Sequence, residues 1–253
     1  MILEAFDLKG KVALVTGCNT GLGQGMAVAL AQAGCDIVGV NYADAADTPE
    51  LVQAAGQRFF SMTADLSDHQ VITKVVDEAV RLAGRIDILV NNAGIIRRAD
   101  AIEFTEKDWD DVMDINIKSV FFLSQAVARQ FLSQGQGGKI INIASMLSFQ
   151  GGIRVPSYTA SKSAVMGITR LLANEWASQG INVNAIAPGY MATNNTAALR
   201  ADADRNQEIL SRIPAQRWGL PSDLAGPVVF LASPASDYVN GYTIAVDGGW
   251  LAR

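Results

Sequence analysis

A doubly wound α/β fold, a parallel sheet with helices on both faces in a single domain spanning 1–253, is predicted by three observations. Short runs rich in Val and Ile alternate with helix-spaced apolar residues from one end of the chain to the other. These runs are apolar at every position, the pattern of strands buried on both faces. A glycine-rich turn, "TGCNTGLGQG", leads from the first strand into the first helix.

The elements follow in order. "KVALVTG" (Lys11–Gly17) is a short apolar run ending at Gly, a buried strand. Leu22, Met26, Ala29, Leu30 and Ala33 then fall at helical spacing. "DIVGVNY" (Asp36–Tyr42) is the next strand, followed by a weak helix near Glu50–Ala55 and the strand "RFFSMTAD" (Arg58–Asp65). Ser67 and Gln70 form a capping box that opens a helix through Leu82. "IDILVNNAG" (Ile86–Gly94) and "KIINIAS" (Lys139–Ser145) are strands, and Ile117, Val120, Phe121, Ser124, Val127, Ala128 and Phe131 mark a long helix between them. A helix from Tyr158 to Ser178 precedes the strand "INVNAIAP" (Ile181–Pro188). A helix near Ser222–Leu231 and a strand near Tyr242–Val246 close the chain. The rhythm breaks only at Tyr190–Gln216, polar and Ala-rich. Placed after a strand end, it is either a substrate lid over residues 190–216 or a surface excursion with two short helices.

Composition narrows the function. Hydrophobic residues at 49% and charged residues at 18% imply more buried surface than an average domain, as in helices packed between subunits. A net charge of −5 argues against a nucleic-acid partner, which needs a basic stripe. No apolar run reaches the ~18 residues of a membrane span, and "MILEAFDLKGK" lacks the features of a signal peptide. Two cysteines, Cys18 and Cys35, fit a reducing compartment, so a cytoplasmic protein is expected. Neither Cys18 nor His69 has metal-ligand company, and no metal site is expected.

Gly17, Gly21 and Gly23 let the chain turn tightly and bring backbone N–H groups and the helix N-terminus onto a pyrophosphate. This Rossmann-type turn is spaced Gly-x-x-x-Gly-x-Gly, not as the commoner dinucleotide fingerprint. Tyr158 and Lys162 lie four residues apart, on one face of a helix. A phenol with its ordinary pKa of about 10 is a poor base near neutrality, and a nearby ammonium favours the phenolate. The pair is therefore a candidate general acid/base. Ser145 ends a strand on the edge where ligands bind such sheets, and its hydroxyl suits an oxygen on which charge develops.

With "TGCNTGLG", "ADL" (Ala64–Leu66), "NNAG" (Asn91–Gly94), Asn116, Ser145, Tyr158 with Lys162, "PG" (Pro188–Gly189) and "VDGG" (Val246–Gly249) in this order, the chain resembles the short-chain dehydrogenases/reductases along nearly its whole length. The stretches "INIASMLSFQGGIRVPSYTASKS" and "VNGYTIAVDGGWLAR" further resemble members that act on sugar acids in bacterial uronate breakdown. The resemblance implies an oxidoreductase acting at the C5 hydroxyl or ketone of a 3-deoxy-2-keto-hexonate, and a homotetramer. It implies that Asn116, Ser145, Tyr158 and Lys162 are catalytic, with Asn116 and Lys162 holding a proton-relaying water and Lys162 also binding the nicotinamide ribose. Cofactor contacts are implied at Asn19, Thr20 and Leu22 in the turn, at Asp65 and Leu66 on the adenine, at Asn92, Ala93 and Gly94 along the ribose, and at Pro188, Gly189, Met191 and Thr193 near the carboxamide.

NAD is the expected cofactor. The second strand ends in Asn41 where NAD-using members carry Asp, yet neither "CNT" (Cys18–Thr20) nor "NYAD" (Asn41–Asp44) offers a cation for a 2′-phosphate. A carboxylate substrate needs a guanidinium. Arg154, in the loop from Ser145 to Tyr158, is the preferred ligand and Arg97 the second, while Arg98 and Arg217 read as surface ion pairs. Alternatives are a 3-oxoacyl-carrier-protein reductase, another sugar or polyol dehydrogenase, or a non-catalytic dinucleotide sensor. Intact Ser145, Tyr158 and Lys162 count against the sensor.

Overall fold

β1 (Val12–Thr16) is buried at every position because both of its faces are covered. In this computed structural model, which describes Met1–Arg253, it is joined by β2 (Asp36–Asn41), β3 (Phe59–Thr63), β4 (Ile88–Asn91), β5 (Gly138–Ile143), β6 (Ile181–Pro188) and β7 (Thr243–Val246). The seven strands form one sheet in the order β3-β2-β1-β4-β5-β6-β7, every pair parallel. The chain reverses its winding between β1 and β4, the point at which such sheets bind ligands beyond the carboxyl ends of the strands.

Alternate residues of each strand serve opposite layers. Ala13 and Val15 pack with Met26 and Leu30 of α1 (Gly21–Gln32) and with Val228 and Leu231 of α9 (Ala225–Ala232). Val12 and Leu14 pack on the other face with Val76 of α3 (Ile72–Ala83), Val127 of α5 (Ser119–Gln134) and Leu172 of α6 (Pro156–Trp176). The short α2 (Thr48–Ala54) and α4 (Glu106–Met113) complete the helices before β6. No helix is long and apolar enough to cross a membrane.

Three boundaries differ from the sequence reading. Ser67 does not cap a helix: its N–H and hydroxyl both bond the Asp65 carboxylate, at 2.9 and 2.6 Å. Asp68 caps instead, accepting from Gln70 N–H at 2.9 Å, and α3 starts at Ile72 after a 3₁₀ turn. The acidic α4 carries too few apolar residues to show a helical stripe, although its cap is legible: Thr105 Oγ1 accepts from Asp108 N–H at 3.1 Å. The helical pattern that begins at Ile117 is first a π turn, Asp114–Lys118, before α5 proper.

The excursion after β6 contains α7 (Ala197–Ala201) and α8 (Ala203–Arg212). Ile209 and Ile213 bury against Met146 and Trp250, so the excursion has a small core of its own beside the end of β5.

A buried polar chain runs through the second layer. Asn91 and Asn142 are register partners on β4 and β5. Asn91 Nδ2 donates to Ser124 Oγ of α5 at 3.0 Å and to Asn142 Oδ1 at 2.8 Å, and Asn142 Nδ2 donates to Thr169 Oγ1 of α6 at 3.0 Å. Both hydroxyls pass their own protons to helix carbonyls four residues back, so no member is unsatisfied. A fully satisfied network in low dielectric specifies one arrangement, whereas breaking it orphans a buried group. Asn142→Ala is accordingly expected to lower the unfolding free energy by about 2–4 kcal/mol, from unpaired buried amide and cavity together. Denaturant unfolding that differs from wild type by less than about 0.5 kcal/mol, the range of an ordinary surface change, would show that the ladder does not hold the layers.

Candidate active site

The carboxyl ends of the strands open on a cleft of ≈ 1280 Å³. That is room for an extended ligand beyond the ~300–1,000 Å³ of an ordinary small-molecule site. One end is walled by the turn between β1 and α1. Thr20 stands at the N-cap of α1 without capping it by its side chain, so the first-turn N–H groups are left for an anion. Gly17 takes φ +63°, and a Cβ at Gly23 would overlap the Gly17 carbonyl oxygen and the Asn92 amide. Asn92 Nδ2 binds the carbonyls of Thr16 and Gly17 at 2.9 Å each, tying the turn to the end of β4. The backbone is thus shaped as a cradle for a pyrophosphate, and a dinucleotide fits the residues present.

Most of the expected residues meet on this one wall. Gly17, Asn19, Thr20, Gly21, Leu22 and Gly23 line it, as do Asp65, Leu66, Asn92, Ala93 and Gly94. Gly189 and Thr193 line it from the β6 side. Ser145, Tyr158, Lys162, Arg97 and Arg154 line the far end.

Four expected residues lie behind the wall. Pro188 is buried at the end of β6, and Met191 is buried in a bridge to Gly219. Asn116 is wholly buried in the π turn before α5, where its amide accepts from Ile95 N–H at 2.8 Å and donates to the Ile95 carbonyl at 2.9 Å. It also donates to Ser161 Oγ at 3.2 Å. Its place inside a widened helical turn depends on a partner 21 residues away in sequence. Asn41 is buried, and its Oδ1 accepts from Asn19 N–H at 3.1 Å. That contact spends the amide oxygen on the glycine-rich turn, leaving Tyr42 and Ala43 on the cleft wall after β2.

At the far end, burial dominates the electrostatics. It pushes the Lys162 ammonium down to about 8, and Lys162 Nζ donates to the Ile143 carbonyl at 2.6 Å. Nζ lies 5.7 Å from the Tyr158 ring centroid. Burial also raises the Tyr158 phenol, opposed by the nearby Ser145 hydroxyl and by the charge of Arg98. Lys162 stands beside the Tyr158 ring, on the shared helix face that the i, i+4 spacing gives, and its ammonium is also held by the Ile143 carbonyl. Burial likewise pushes Cys18 up to about 11, leaving it an inert filler of the turn.

The four arginines differ in their partners. Arg154 Nε pairs with Asp100 at 3.1 Å, and Arg97 pairs with Asp108 at 3.4 Å and Asp111 at 3.6 Å. Arg217 pairs with Asp223, as expected of a surface arginine. Arg98 lines the cleft with no carboxylate partner. Only the pairing of its neighbours distinguishes it, and no spacing in the sequence discloses that. A hydroxyl, a phenol and a cation around one end of a cleft can together hold an oxygen and exchange its proton.

Residues 17–251 match the family model described as enoyl-(acyl carrier protein) reductase. The chain is 76% identical over 253 residues to 2-dehydro-3-deoxy-D-gluconate 5-dehydrogenase of Dickeya dadantii (strain 3937), with 100% of both chains covered. It is 74% identical over 253 residues to the protein of the same name from Escherichia coli (strain K12), again with 100% of both covered. A crystal structure from Agrobacterium tumefaciens with bound NADP is 56% identical, with a TM-score of 0.93 over 98% of this chain and 99% of that one. The cradle, the wall and these full-length likenesses agree: the chain belongs to the short-chain dehydrogenase/reductase family of oxidoreductases, which act on hydroxyl groups.

Proposed function

We propose that the protein is an NAD(H)-dependent oxidoreductase that interconverts 2-dehydro-3-deoxy-D-gluconate and 3-deoxy-D-glycero-2,5-hexodiulosonate at C5, in uronate and pectin breakdown. The observation that carries the reading is the meeting of Ser145, Tyr158 and Lys162 at one end of the cleft wall, with Lys162 Nζ 5.7 Å from the phenol ring centroid. The names of the relatives support the substrate. In this reading Tyr158 exchanges the proton of the C5 oxygen, and Ser145 donates to that oxygen as charge develops. Lys162 holds the ribose hydroxyls, and Asn116 with Lys162 orders a relay water. The dinucleotide, when bound in the cradle, accepts or supplies the hydride.

NAD is favoured over NADP because Thr20, Tyr42 and Ala43 wall the adenosine end without an Arg or Lys. The Agrobacterium relative binds NADP, and no carboxylate ends β2 here to repel a 2′-phosphate, so the discrimination rests on a missing cation alone. The same reading makes the protein a cytoplasmic homotetramer. Trp109, Phe122, Leu132 and Leu171 leave α4, α5 and α6 with exposed apolar side chains that a two-fold interface would cover.

Arg98 takes the substrate carboxylate in preference to Arg154 and Arg97, whose guanidinium groups already face acids. A free cation near the phenol meets an incoming anion without first surrendering a partner.

Steady-state assays with sugar acids test the reading directly. NADH is expected to exceed NADPH in kcat/KM by about tenfold or more, equivalent to roughly 1.4 kcal/mol of discrimination. Tyr158→Phe should lose about 10²–10⁴-fold in turnover while dinucleotide affinity holds, since the ring keeps its place without its proton. A variant that keeps more than about a tenth of wild-type turnover removes Tyr158 from the acid/base role. Arg98→Met should raise KM for the acid by roughly 10- to 150-fold, the loss of a charged hydrogen bond of about 1.5–3 kcal/mol, and spare an uncharged analogue. Equal losses for both substrates would mean that Arg98 binds no carboxylate. Sedimentation at micromolar concentration should find a tetramer, and a monomer alone would refute the interface.

A further inference from the structure

Ser148 belongs to neither the cleft wall nor the expected set of site residues, yet it joins the two elements that carry the proposed chemistry. It lies at the end of the 3₁₀ turn Met146–Ser148 and is buried, with 8% of its surface exposed. Its Oγ accepts from the Ser145 backbone N–H at 3.3 Å and donates to the Lys162 carbonyl at 2.6 Å. That carbonyl lies inside α6, and its second lone pair remains available after the helical bond.

Lys162 is thereby held at two atoms by one short stretch of chain, its ammonium by the Ile143 carbonyl and its own carbonyl by Ser148. One residue along, the Ser163 hydroxyl donates to the Leu147 carbonyl at 3.3 Å. On the other side, Leu147 N–H donates to Ser145 Oγ at 3.2 Å, which sets that hydroxyl on the cleft wall it shares with Tyr158. A plain cap of the 3₁₀ turn accounts for the bond to Ser145 N–H but not for a proton delivered to a different helix.

We propose that Ser148 is a positioning residue that fixes the spacing between the Ser145 hydroxyl and the Tyr158 phenol by tying the end of β5 to α6. The inference rests on the reading of Ser145, Tyr158 and Lys162 as the reacting group. Without the Ser148 hydroxyl, the buried Ser145 N–H loses its partner and the turn is free to shift relative to α6. Displacements of about 1 Å remote from the chemistry can cost ~10²-fold in rate.

The experiment compares Ser148→Ala and Ser148→Thr with wild type and with Tyr158→Phe, on the full chain with the sugar acid and dinucleotide. Ser148→Ala should lower kcat about 10- to 100-fold while KM and dinucleotide affinity stay within about twofold. Its kcat–pH profile should move to higher pH, because the phenol loses the Ser145 contact that favours its ionised form. Ser148→Thr, which keeps the hydroxyl, should recover most of the rate. A kcat for Ser148→Ala within about twofold of wild type overturns the proposal, as does a rate loss matched by equal loss of dinucleotide binding. An unshifted pH profile, or a Thr variant as slow as Ala though equally resistant to heat, overturns it too. Tyr158→Phe separates the two readings: if it remains active, the assignment of the reacting group fails, whereas if it is inactive and Ser148→Ala is not slowed, only the role of Ser148 fails.

Discussion

A parallel strand cannot turn straight back onto its neighbour, and this constraint orders the rest of the molecule. Each strand must hand the chain to a crossover, so the strands run the same way and their carboxyl ends meet along one edge. The helices that cover both faces leave only that edge open. Loops after β1, β2, β3, β4, β5 and β6 all arrive there, and together they enclose the cleft. Side chains separated by more than 100 residues become neighbours because the sheet delivers them to one line.

The same burial sets the chemistry available at the far end of the cleft. Lys162 is almost wholly out of water, so its charge is disfavoured and its ammonium leans on a carbonyl. Tyr158 is pushed the opposite way on the pKa scale, toward keeping its proton. Ser145 and Arg98 lean against that tendency, and a cationic ring at the cofactor position would lean further. The polar ladder through Asn91 and Asn142 holds α5 and α6 in register with the sheet, and those helices bring Asn116 and the Tyr158–Lys162 pair to the edge.

Much of the arrangement is legible in the residues because it depends on local chemistry. An apolar run with a glycine turn after it commits a strand to a helix start, and the i, i+4 spacing places Tyr158 and Lys162 on one face whatever surrounds them. The acidic α4 was hidden because its helix rests on capping and charge placement rather than on an apolar stripe. Asn41 was legible as the end of β2 but not as a partner of Asn19, since that bond closes only when the phosphate turn folds over the strand end. The arginines show the same limit. Sequence position tells which loop an arginine leaves from, whereas its freedom depends on which acids other loops bring to it.

The sequence by itself determined the alternation of elements, the parallel sheet, the glycine turn and the shared helix face of Tyr158 and Lys162, because each follows from periodicity, turn chemistry or spacing along one segment. Tertiary structure alone decided how Lys162 is held between the phenol and the Ile143 carbonyl, why Asn116 stands in a π turn against Ile95, and how Ser148 ties β5 to α6. Those are contacts between segments distant in the chain, whose energies exist only once burial has removed water from both partners.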